Sequence, residues 1–166
     1  MAKTYNPIAT TTLGSAASSI TFSSIPNTYT DLRLVFVGTS ASNGQVVTIQ
    51  FNSDTATNYS WIRFNGDGAT ASAISAQNVS SLQATYQGTS TTIPIMCTWD
   101  VFSYTGSTYK TVLMSASEDK NGSGGTGVKV GMWRSTSAIN TILITINGAQ
   151  NFNSGTTATL YGIKAA

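Results

Sequence analysis

A chain of 166 residues fits one domain and can bury about 70% of its unfolded surface without disulfide or metal support. Its apolar share is ordinary at 40%, but only 8% is charged, against a usual share of about 25%, and that pairing excludes the weakly apolar, highly charged class of disordered chains. Eight Lys/Arg face six Asp/Glu, the basic residues dispersed with no run, which argues against the basic stripe that nucleic-acid binding requires.

Residues 1–7 read as a loose arm ending at Pro7, and IATTTL (8–13) as a first strand. ITFSSIPNTYTDLRLVFV (20–37) is the clearest stretch: two strands joined by a corner at Pro26. After the corner, Leu32, Leu34 and Phe36 share one face and Arg33, Val35 and Val37 the other, a period of two. Pro26 lacks a ladder donor, so it belongs at the turn. An Asn-Gly step within 39–44 leads to QVVTIQF (45–51), where Val47, Ile49 and Phe51 alternate. A loop at 52–58 precedes NYSWIRF (58–64), with Tyr59, Trp61 and Arg63 opposite Ile62 and Phe64.

Residues 65–73 read as a turn and a small-residue loop, 74–78 as ambiguous, and 79–86 as a weak strand. IPIMCTWDVFSY (93–104) is the longest apolar run, and Pro94 predicts that it begins at a sheet edge or bulge. A TGS turn at 105–107 opens a strand at 109–117. EDKNGSGGTG (118–127) has four glycines between 122 and 127 and predicts a loop that is mobile or pinned by a partner. Strands at 128–134, 139–146 and 156–164 complete the chain. About ten short strands with no period of 3.6 predict an all-β antiparallel β-sandwich, jelly-roll-like, as one domain over 8–166.

The chemistry is limited first by the absence of histidine. A Ser-His-Asp or Cys-His centre cannot be built, and the commonest zinc ligand is missing. Cys97, the only cysteine, lies in an apolar run and reads as a buried hydrophobe. The acids are Asp31, Asp54, Asp67, Asp100, Glu118 and Asp119. Most sit beside turn residues, where Asp bonds local backbone. Asp100, inside a strand after Trp99, reads as a buried partner for arginine or a backbone donor, with a functional role as the rival. NSD (52–54), NGDG (65–68) and EDKNG (118–122) offer oxygens for calcium but lack the twelve-residue loop spacing. The expectation is therefore no catalytic residue, no metal and no cofactor. No segment approaches 18 consecutive apolar residues, and no basic-then-apolar leader opens the chain. Strand aromatics remain, with Trp61, Trp99 and Trp133 as candidates for stacking on glycan, against the ordinary reading of core or subunit interface.

At ITFSSIPNTYTDLRL (20–34), FNSDTATNYSWIRFNGDG (51–68) and ATLYGIKAA (158–166) the chain resembles small virion proteins of tailed bacteriophages, cyanophages included. The resemblance implies a β-sandwich that assembles on a particle surface, commonly as a trimer, in head decoration, head-fibre or tail modules. It brings no catalytic residues. The expectation that Met1–Ala166 is a whole one-domain protein favours a capsid decoration (cement) protein on the outer head. It would be made in the host cytoplasm and held in the virion, with the major capsid protein or other virion proteins as partners and neither nucleic acid nor membrane. The expected contacts are Lys3, Tyr5 and Pro7 of the arm and Glu118, Asp119, Lys120 and Asn121 of the glycine-rich loop. The alternative is a tail or head-fibre module that recognises host glycan through Trp61, Trp99 and Trp133.

Overall fold

The computed structural model describes residues 4–84 and 88–164. Among them twelve strands follow in order: β1 (Tyr5–Thr12), β2 (Ser19–Phe22), β3 (Asp31–Gly38), β4 (Val47–Phe51), β5 (Tyr59–Gly66), β6 (Ala71–Val79), β7 (Leu82–Gln83), β8 (Ile95–Phe102), β9 (Lys110–Asp119), β10 (Gly124–Trp133), β11 (Ile142–Ile146) and β12 (Thr157–Ile163). Among the described residues there is no helix. The strands form one eight-stranded sheet, ordered β1-β12-β3-β8-β9-β10-β5-β6, and one four-stranded sheet, ordered β2-β11-β4-β7. Pairing is antiparallel throughout, and the fold is an all-β sandwich.

The alternation in β3 sets the phase of the core. Leu32, Leu34 and Phe36 are fully buried and meet Val101, Trp99 and Cys97 of β8 across the ladder. Ile20, Phe22, Ile49, Phe51, Ile142 and Ile144 close the layer from the smaller sheet. Phe36 stands edge-on to Trp99, with centroids 6.5 Å apart. Aromatic pairs of this kind add about 0.5–1.5 kcal/mol beyond the area they bury.

Four expectations change. Residues 5–7 are not part of an arm: Tyr5, Asn6 and Pro7 pair with Ile163, Gly162 and Tyr161, and the register shifts between Pro7 and Ala9. A proline read as the end of an arm is instead tolerated on an edge strand, where no ladder donor is required of it. Pro94 precedes an interior strand, since β8 lies between β3 and β9. The ambiguous 74–78 stretch lies within the nine residues of β6. The glycine-rich loop contracts to a hairpin turn, with the Lys120 amide donating to the Ser123 carbonyl at 2.7 Å. Asn121 and Gly122 take left-handed φ values of 60° and 88° there, and the remaining glycines belong to β10.

Segments 20–34 and 158–164 pack on each other, and 51–68 is tied to the turn before β11. Tyr104 Oη donates to the Pro26 carbonyl at the corner. The Tyr29 ring lies over Gly162 so closely that a Cβ there would sit 2.3 Å from a ring carbon, and Lys164 Nζ stands 5.7 Å from the ring centroid. Asn52, in a left-handed turn at φ 51°, receives the amides of Asn140 and Thr141 at 2.9 and 3.1 Å. These pieces therefore hold corners and strand ends together.

Candidate interaction surface

The tryptophans point inward. Trp99, Trp133 and Trp61 are 0%, 2% and 7% exposed. Trp133 stacks on Tyr59 at 19° and donates to Asp54 Oδ2 at 2.7 Å. These side chains are core, and none offers a ring face for a sugar; aromatic residues on strands follow burial before display.

The acidic candidates are engaged in their own turns. Asp54 accepts from Trp133, Asn58 and the Ala56 amide. Burial pushes its carboxyl up, but these bonds outweigh burial and leave it below the usual carboxylate range. Asp67 accepts the amides of Ala69 and Thr70 at 2.9 and 2.7 Å, and Asp119 accepts that of Gly122 at 3.0 Å. Among the described residues no group of three or more His, Cys, Asp or Glu could hold a metal ion. Asp100 forks onto Arg33 at 2.8 and 2.9 Å, the pairing expected of a strand carboxylate beside arginine. Burial pushes the Cys97 thiol up, so it stays protonated and inert.

The expected particle contacts do not form one patch. Lys3 lies outside the described residues. Tyr5 and Pro7 are exposed on the β1 edge. Glu118 continues the inward phase of Val112, Met114 and Ala116 and is buried, with Lys120 Nζ 3.0 Å from its Oε1. It cannot be a contact residue while β9 keeps this phase. Asp119 and Asn121 are exposed, and Lys120 is half-buried.

What the strands do bring together is an apolar field on the outer face of the larger sheet. Ladder partners place Ile62, Val130 and Leu113 in one row and Phe64 and Val128 in the next. These five are 67%, 51%, 43%, 58% and 52% exposed. The central row of the field ends at β8, while Phe102 on one side and Met96 with Val37 on the other continue the exposed apolar surface. Beyond Leu113 lies the Arg33–Asp100 ion pair, and towards β1 the face is bridged by hydroxyl pairs, Thr10–Thr159 at 3.1 Å and Thr12–Thr157 at 3.0 Å. Across β9, β10, β5 and β6, from Thr111 to Ser117, Thr126 to Met132, Ser60 to Phe64 and Ala71 to Gln77, no outward residue is charged.

In β10 the exposure reverses what alternation of polarity would dictate. Val128 and Val130 face out, while Lys129 is buried at 3%. Its Nζ donates to the Gln83 carbonyl and stands 4.5 Å from the Trp61 centroid. Burial, with the Arg63 charge adding to it, pushes the ammonium down to about 8. Trp133 and Gly131 fix this phase: Trp133 fills the aromatic cluster with Phe51 and Tyr59, and a Cβ at Gly131 would come within 2.8 Å of Leu82 and Met114. Two valines are thus displayed at the cost of desolvating a lysine. The reversal could be suspected from VKVGMWR, where the bulkiest side chain falls on the lysine's face.

Compared with known proteins, the chain matches no family model, no curated protein and no solved structure.

Proposed function

We propose that this chain is a non-enzymatic structural protein of a bacteriophage particle, a decoration (cement) protein that binds the outer surface of the head and stabilises it. The observation that carries the reading is the uncharged apolar field around Ile62, Phe64 and Val130. Patches of this kind mark a chain that assembles with other protein subunits, its own copies included, as a decoration protein does. The surrounding surface is suited to repeated protein contact. It is rich in Ser and Thr, and its central charges, Arg33 and Asp100, already neutralise each other, so little charge is desolvated on docking. The resemblance in the three sequence pieces supplies the particle. The tryptophans that the glycan-binding alternative would use first are buried, which favours the decoration reading.

Cryo-electron microscopy of the source virion tests the proposal. Twelve-stranded density between capsomers on the head is the expected result. Density confined to fibre tips or tail, or none on the particle, would overturn it.

A further inference from the structure

The apolar field has an area, a charge and a shape from which its occupant can be argued. A standard interface covers about 800 Å² on each partner, and from their fractional exposures Ile62, Phe64, Val128, Val130 and Leu113 supply roughly 500 Å² of it. Ser60, Ser75, Gln77, Thr126 and Ser115 surround them as a polar rim. An apolar centre, depleted of charge and ringed by hydroxyl and amide groups, is the anatomy of an interface between copies. A partner with a charged surface would lose hydration there and gain no ion pair. A face with no charge meets its own copy without like-charge repulsion.

We propose that this field is covered by the same field of a second copy, sheet against sheet. The inference rests on the reading of the chain as an assembling structural protein and names the partner of that face. A patch that faces itself closes on two copies. The expected particle in solution is therefore a dimer, where the resemblance implies a trimer.

Sedimentation equilibrium of the full chain, from low micromolar to about 100 µM, reads the association. The wild-type chain is expected to be a dimer at the upper end. Ile62→Lys and Val130→Lys, each placing an ammonium at the centre of the field, should weaken pairing at least thirtyfold, about the effect of losing an interface hot spot. Thr10→Lys, on the hydroxyl-bridged part of the same face, should leave it unchanged. Val128→Thr with Val130→Thr keeps β-branched strand residues of the same shape and should still weaken pairing about tenfold; circular dichroism confirms that each variant is folded. A monomeric wild type, a trimer, or a dimer indifferent to the Ile62 and Val130 changes would overturn the proposal. A monomer that decorates heads would remove the pairing and leave the cement role standing. A dimer missing from virions would do the reverse.

Discussion

Replacing Lys129 by methionine tests how the sandwich tolerates its reversed strand. The side chain is 3% exposed, and its ammonium is pushed from 10.5 to about 8 by burial and by Arg63. That gap is worth roughly 3 kcal/mol against the charged form in the folded state. Methionine keeps the unbranched stem but loses the bond to the Gln83 carbonyl, worth about 1 kcal/mol, and the contact with the Trp61 ring, worth about 0.5–1 kcal/mol. The variant should therefore be about 1–2 kcal/mol more stable at pH 7. Below pH 8 the lysine is charged in both states and its burial cost is fully present. Between about 8 and 10.5 the unfolded chain holds the proton that the folded one has released, so wild-type stability from this group rises with pH. The advantage of methionine should shrink over that range and reverse near its top, where only the lost contacts remain. Burial pushes Cys97 up and the Lys129 charge draws it partly back, so the comparison is made in a Cys97→Ala background; Tyr59, pushed up by burial, is common to both proteins, and the difference isolates Lys129. Urea unfolding of both proteins at pH 7, 8, 9 and 10 measures it. Parallel stability curves, or a methionine variant weaker by more than about 1 kcal/mol at pH 7, would refute the reasoning.

Two further outcomes follow from the packing. Gly162→Ala drives a methyl group into the Tyr29 ring at 2.3–2.5 Å and should cost about 2 kcal/mol; adding Tyr29→Ala should make the alanine at 162 nearly neutral in a thermal-unfolding cycle. Asp54→Ala removes the acceptor of Trp133, Asn58 and the Ala56 amide and should cost about 2–3 kcal/mol at neutral pH. Because the folded carboxyl lies below the ordinary 3.8, its contribution is present above that value and fades as pH falls through the folded one. Acid titration should accordingly show a shallower loss for the alanine variant than for wild type.

The faces of β3 were legible because its apolar residues alternate with residues that tolerate water, and Pro26 marked the corner by removing a donor. Ladder position decided the harder cases. Pro7 punctuates a chain in the same way whether it ends an arm or occupies a sheet edge, and only the pairing with β12 separates the two. Glu118 was read by its glycine neighbours, yet its place is set by β9 running inward in phase from Val112. In β5 and β10 apolar side chains occur on both faces, so polarity cannot choose between them; the volume of Trp61, Tyr59 and Trp133 chooses instead. The apolar field was thus invisible as a site, although NYSWIRF had already put Ile62 and Phe64 on a face of their own.

The strand order also dictates how the molecule must be made. Hairpins β5–β6 and β8–β9–β10 join neighbours in sequence and can close as soon as they are synthesised. Strands β1 and β2 cannot: β1 pairs with β12 and β2 with β11. Ile20 and Phe22 wait for Ile142 and Ile144, an interval of roughly 6–24 s at ordinary rates of translation. Closing these distant pairs is the slow part of folding for such a topology. The nascent chain thus carries β1 and β2 unpaired until β11 and β12 have emerged, and the ribosome, more than any local signal, sets when the sandwich can shut.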